Sequence, residues 1–511
     1  RFFMEQAAKG IATAGVLGPL WPMIANSADI SKAYPDEVMS IDAWSKGKIK
    51  TGDLIGADNV DLVKDLLDPV AYHQVKTMGR KIRIVPTTRD ITRMFPAEYL
   101  EATLRNQGKA KFDANGNVVS PDGKPWLGGN PFPDAKTGIE VAANLTMCWG
   151  RKDNSITAIR DWEVAPDGSM SYQYDFAWVE QNTTARADGK VVPGADELLR
   201  YNAVYFTGPS DVKGTGYLNT WYYDQRKFPE LVGYLPAFKR VRKFPTNQRF
   251  EPLVPGMNLY LSDAWAAGDP MLTWGNYKIV GRGPFLGAVS QSWYGDRPNW
   301  ERPVHGGPKN QTFFETQMEL CPDVVIFEAE PTGYPRAPVG KKRVWVDVRN
   351  QMYVAYITYD RRGEIFKSFE PQYSFQDKGD KKLMDGKNTA WHWTAVQCYN
   401  FQDGRMTRFQ PVTSITGGMS TAFNVDGLYE KYMTQQALQR WGPEHARASA
   451  TRAVHRSRRP DSACRTARPA CGGRRAAVRG TVSAVAQPPT APLLPRCNAG
   501  RSGARRGRCC T

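Results

Sequence analysis

Cysteine is scarce over most of this 511-residue chain: only Cys148, Cys321 and Cys398 precede Pro443. Three thiols exclude a disulfide framework and permit one bridge at most. Histidine is no richer. His445 and His455 fall in the C-terminal stretch, while His73 sits on an expected helix, His305 in a Gly-rich loop and His392 on an expected strand. That scatter makes no metal site. Also missing are G-x-S-x-G, H-E-x-x-H, C-x-x-C, a P-loop and a complete dinucleotide fingerprint, since Gly281 and Gly283 are followed by Leu286. Glu328 and Glu330 share a strand face and could imitate an acid–base pair, but two carboxylates on a solvated face is the plainer reading. No catalytic residue, metal or cofactor is expected, and the protein reads as a non-enzyme.

Aromatics are absent from the last segment. All 58 precede Pro443, and residues 443–511 hold 15 Arg, no Lys, two acids and five of the eight cysteines. Such a composition cannot bury enough apolar surface to fold, and it resembles GC-rich sequence translated out of frame after Trp441-Gly442. The formal charge of +17 is therefore misleading: residues 1–442 hold 53 basic and 49 acidic residues. No nucleic-acid partner is expected.

At the other end, Arg1-Phe2-Phe3-Met4 precedes an apolar run from Gly10 to Ile24 and then Ala25-Asn26-Ser27-Ala28. This is the layout of a secretory signal over residues 1–28, too short to span a bilayer. A preceding Arg would complete a twin-arginine signal. Periplasmic location is the expectation.

Residues 29–150 read as a mixed helical and loop part. A helical pattern over 58–78 is interrupted by Pro69, a strand follows at 80–85, helices at 96–106 and 134–149, and loop between 112 and 133. Residues 151–442 read as strands of the same domain: 200–207, 217–224, 238–244, 272–280, 285–294, 324–329, 343–348, 352–359, 364–369, 391–400 and 405–410, separated by turn residues. The predicted class is mainly β with flanking helices (α+β). A large curved antiparallel sheet or incomplete barrel would carry helices over its open side.

The most informative stretch is 155–181. Met170, Tyr172, Tyr174, Phe176 and Trp178 alternate with small or polar residues, so they share one strand face. Pro166-Asp167-Gly168 suits a three-residue loop, predicting Met170 opposite Val164, Tyr172 opposite Trp162, Tyr174 opposite Arg160 and Trp178 opposite Ile156. Tyr172, Tyr174, Phe176, Trp178 and Trp162 are thus the candidate apolar ligand face, against the alternative that core packing accounts for most of these aromatics. On a strand over 238–244, Phe238, Arg240, Arg242 and Phe244 would share a face. Arg240 and Arg242 are candidates for an anionic head group, against the alternative of solvated, snorkelling cations.

Gly128-Gly129-Asn130-Pro131-Phe132-Pro133 followed by Thr137-Gly138-Ile139-Glu140 resembles a signature block of a proteobacterial envelope family, the domain-of-unknown-function family thirteen twenty-nine. That family is related to the Lol-type outer-membrane lipoprotein-sorting proteins. Trp221-Tyr222-Tyr223-Asp224, Tyr234-Leu235-Pro236 and Arg240-Val241-Arg242 support the resemblance over 29–442, as does an ending near Leu438-Gln439-Arg440-Trp441-Gly442. One departure is a Pro-rich insertion over 330–340. The resemblance implies a signal peptide and an incomplete antiparallel barrel under helices, and it supplies no catalytic residues.

Together these features predict a periplasmic carrier or binding protein for a lipid, lipoprotein or other hydrophobic small molecule, serving an outer-membrane protein or transporter complex. An envelope adaptor with a filled barrel is the alternative, and a carbohydrate-active enzyme a more distant one.

Overall fold

A computed structural model describes residues 30, 33–147, 150–264, 269–289, 315–378 and 381–441. The expected export signal, Cys148, His305 and the Arg-rich tail lie outside the described residues. The chain divides into two compact units, residues 1–457 and 458–511, and the described residues all belong to the first.

Among the described residues, sixteen strands join in one sheet. In chain order they are β1 (Leu54–Ile55), β2 (Lys81–Val85), β3 (Asn154–Val164), β4 (Met170–Asn182), β5 (Leu198–Gly208), β6 (Gly216–Tyr222), β7 (Glu230–Leu235), β8 (Arg240–Lys243), β9 (Gly275–Gly287), β10 (Glu315–Glu330), β11 (Val339–Asp347), β12 (Met352–Asp360), β13 (Ile365–Phe375), β14 (Trp391–Asn400), β15 (Met406–Pro411) and β16 (Ala422–Phe423). They lie in the order β1-β2-β10-β11-β12-β13-β14-β15-β3-β4-β5-β6-β7-β8, with β9 also on β10 and β16 also on β3. The sheet is not closed, and its class is the mainly-β one expected. One pair corrects the antiparallel expectation: β2 and β10 run parallel, from Lys81 beside Glu315 to Val85 beside Glu319.

Turn chemistry explains much of this order. Gly168 adopts φ +83°, and Ala165 and Ser169 bond across Pro166-Asp167-Gly168, so the three-residue loop forms as its residues dictate. Met170 then faces Val164, but a bulge follows and shifts every later pair by one. Tyr172 faces Glu163, Tyr174 faces Asp161, and Trp178 faces Thr157. Arg160 meets Asp175 in an ion pair at 3.0 Å, not the ring of Tyr174. Trp162 pairs with Gln173 and so shares the parity of Ile156 and Ala158, opposite to that of Tyr172. Loop chemistry sets only the first pair, and the bulge sets the rest.

Other boundaries move for identifiable reasons. The strand expected at 238–244 begins at Arg240, because Pro236 to Lys239 form the turn of a β7–β8 hairpin, with Lys239 at φ +51°. β7 itself was not anticipated. Strands expected at 272–280 and 285–294 share one strand, β9, which crosses Gly281 and Gly283 by bulges; residues 290–294 are outside the described set. Pro69 does not merely interrupt a helix. It opens α1 (Pro69–Thr77), whose cap Asp68 accepts from Val70 and Ala71 N–H, after a 3-10 turn at Val60–Leu66. Helices α2 (Ala97–Asn106) and α3 (Gly138–Met147) lie within the expected ranges.

The Gly128 to Glu140 block has a physical basis. Cβ atoms at Gly128 and Gly129 would lie 1.9 Å from the Arg186 carbonyl and 2.4 Å from the Thr103 amide, so only glycine permits this backbone approach. Asn130 is buried, accepting from the Tyr99 hydroxyl at 2.8 Å and donating its N–H to Thr103 at 2.9 Å. Thr137 and Glu140 form a capping box: Glu140 accepts from Thr137 N–H at 2.9 Å, and Thr137 Oγ1 from Glu140 N–H at 3.4 Å.

Both faces of the sheet are largely covered by its own chain. On one face Ile159, Tyr174, Phe176 and Trp178 join a core with Tyr99 and Leu100 of α2, Val141 and Leu145 of α3, and the crossing segment that carries Leu253, Met257 and Leu259. On the other, Ile156, Ala158, Ala177 and Val179 pack against the C-terminal residues Val412, Ile415, Tyr432, Leu438 and Trp441. Each large buried side chain contributes roughly 1.5–3 kcal/mol. The Pro-rich insertion inserts Tyr334 against Phe250 and Phe228, with ring centroids 5.1 and 5.2 Å away. Glu328 lies beneath Lys278, Lys341 and Arg343, within an ion-pair cluster.

Candidate functional site

Trp178 of β4 and Tyr353 of β12 are five strands apart in the sheet, about 24 Å if it were flat. Both line one cavity of about 70 Å³, so the sheet curls upon itself. The walls come from β3 (Thr157), β4, β12, β13 (Phe369, Pro371, Tyr373), β14 (Trp391, His392, Trp393, Val396) and β15 (Phe409), with Gly150 and Arg151 from the turn before β3. Gly150, Glu180 and Trp393 are half-buried and form its rim, while the other lining residues are buried.

Gly150 and Arg151 both adopt left-handed conformations, at φ +79° and +54°, which turns the Arg151 side chain back into the fold. Its guanidinium lies 5.0 Å from the Phe95 ring, 4.9 Å from Tyr99 and 5.6 Å from Trp391, and it donates to the Asn350 carbonyl. Trp391 stacks on Tyr373 at 5.0 Å with 5° between the planes. At the rim, beside Gly150, Trp178 donates its indole N–H to Glu180 at 3.0 Å. Burial, with Lys152 nearby, holds His392 down at about 3, so it is a neutral imidazole bonded to the Trp393 carbonyl at 2.8 Å.

Of the five residues expected on the apolar ligand face, only Trp178 lines this cavity. Phe176 packs into the core 5.2 Å from Phe206. Tyr174 is buried and bonds the Pro255 carbonyl at 2.8 Å, and Tyr172, 4.7 Å from it, bonds Asp211. Trp162 is on the other face. Arg240 and Arg242 stand on β8 at the sheet's far end, four strands from β4, where Arg242 stacks 3.8 Å over Phe238. Tyr353, Trp391 and Trp393 lie on the strands expected at 352–359 and 391–400, but no sequence pattern placed them at a site, and none pointed to Arg151.

A second polar feature lies on the same sheet face. Glu163 accepts from Asn258 N–H at 3.1 Å and from Thr407 Oγ1 at 2.7 Å, tying the crossing segment to β3 and β15. Burial pushes its carboxyl up to about 7. Asp161, two residues away and fully buried, has neither carboxyl oxygen hydrogen-bonded; burial and the neighbouring Glu163 raise it strongly. Among the described residues no cluster of three or more His, Cys, Asp or Glu is placed to hold a metal, and no helix is long and apolar enough to cross a membrane. Cys321 and Cys398 are buried free thiols.

Three solved structures show how the chain compares with known proteins. A DUF1329 family protein from Desulfovibrio piger is 16% identical, over 59% of this chain and 97% of that one, with a TM-score of 0.40. A putative outer membrane lipoprotein-sorting protein domain from Vibrio parahaemolyticus is 16% identical over the same shares, with a TM-score of 0.38. A LolA superfamily protein from Nitrosomonas europaea is 13% identical over 55% and 96%, with a TM-score of 0.31. No curated protein matches. The profile described as "Protein of unknown function (DUF1329)" matches residues 54–439, three quarters of the sequence, and the chain belongs to that family.

Proposed function

We propose that the protein is a non-enzymatic carrier or binding protein of the bacterial envelope that holds a hydrophobic ligand in the aromatic cavity. The observation that carries this reading is the cavity itself: rings from β4, β12, β13, β14 and β15 surround a space their own side chains leave unfilled. At about 70 Å³ it is smaller than the roughly 150 Å³ void that accommodates benzene elsewhere. A longer apolar body would therefore extend across the rim at Gly150, Glu180 and Trp393. The signal-like N-terminus supports periplasmic placement. Among the described residues Glu180 is the one carboxylate on the cavity wall, which gives no support to a paired-carboxylate glycosidase reading.

Val396→Phe adds a ring to the void. The variant is expected to lose binding of a fluorescent hydrophobic probe at least ten-fold while keeping its fold by circular dichroism. Equal probe binding by the folded variant and the wild type would remove the cavity as the site.

A further inference from the structure

The polar groups around the cavity differ in what they leave unmet. The Tyr353 and Tyr373 hydroxyls bond each other, Trp178 is bonded to Glu180, and His392 to the Trp393 carbonyl. Trp391 is different. It is 3% exposed, and its indole N–H is buried with no acceptor among the described residues. A buried donor of this kind calls for a partner that the protein does not supply. The Arg151 guanidinium lies 5.6 Å from the centre of the same ring, on the same wall. A fixed cation beside an unmet N–H favours an acceptor that carries negative charge.

We propose that the cavity takes an amphiphile with an acid group, its anionic oxygens meeting the Trp391 N–H and the Arg151 guanidinium and its apolar body lying against the aromatic walls. This deepens the carrier reading and rests on it. The acid is a carboxylate, as in a free fatty acid, or a phosphate monoester, as in a simple phospholipid; both satisfy one donor and one cation.

Titration of the full chain at pH 8 with laurate, dodecyl phosphate, dodecanol and acetate separates these contributions. One of the two acids is expected to bind at least ten-fold tighter than dodecanol, and acetate not measurably; the tighter acid identifies the source. Trp391→Phe keeps the ring and loses the N–H. It should cut the advantage of the acid over dodecanol to three-fold or less. Should that variant not fold, the indole N–H resonance of Trp391 in ¹⁵N-tryptophan-labelled wild type provides the readout, shifting with the acid and not with dodecanol. Dodecanol binding as tightly as both acids would overturn the acid-group proposal while leaving the carrier reading intact. No binding by any twelve-carbon ligand would overturn both.

Discussion

Glu163→Gln should make the protein more resistant to unfolding at neutral pH, by an amount that depends on pH. Glu163 is buried and its carboxyl is raised from 4.5 to about 7. With a raised folded value, its favourable contribution is complete below about pH 4.5, where both states are protonated, and is lost as pH rises through 7. At 1.36 kcal/mol per pH unit, that shift corresponds to roughly 3 kcal/mol. The amide keeps an acceptor for Asn258 N–H and Thr407 and does not ionise, so the variant lacks this loss. His392 acts with the opposite sign in both proteins. Burial holds it at about 3, so its contribution is present above about 6.5 and fades as pH falls, which cancels in the difference. Urea unfolding by tryptophan fluorescence at pH 4.5, 6 and 8 measures the effect. Stability of the variant minus that of wild type should grow by about 3 kcal/mol between pH 4.5 and 8. A constant difference, or one moving in favour of wild type, would refute the burial argument.

Two further outcomes follow from the packing. Cys321 and Cys398 are buried, and burial raises both thiols strongly, so peptide mapping after treatment with a thiol reagent should find them unmodified until the protein is unfolded. Gly129→Ala forces a Cβ to 2.4 Å from the Thr103 amide at φ +77° and should cost about 4 kcal/mol or more, whereas Gly418→Ala, at φ +87° with no atom within 4 Å, should cost only about 1–2 kcal/mol for its backbone, both read from denaturation midpoints.

Strands were readable where turn residues and alternation act locally, and the aromatic periodicity of residues 170–178 placed β4 correctly. Register was not, because the bulge after Val164 depends on what each face must bury: Ile159 and Phe176 pair inside, and Arg160 meets Asp175 instead of Tyr174. The cavity was beyond local reasoning. It exists because curling brings Tyr353 and Tyr373 to Trp178, contacts between residues about 175 to 195 positions apart. Arg151 reaches it through two successive left-handed residues, a conformation that Gly150 announces but Arg151 does not. Of the predicted ligand face, Tyr174 instead meets the protein's own crossing segment at Pro255, and Phe176 packs on Phe206.

Native mass spectrometry of wild type and Val396→Phe, purified from the same periplasmic host, addresses the ligand most directly. Wild type should carry a bound mass that solvent extraction removes and identifies as a hydrophobic compound, and the folded variant should carry none. A wild type that is consistently empty and takes up no hydrophobic compound would contradict the carrier reading.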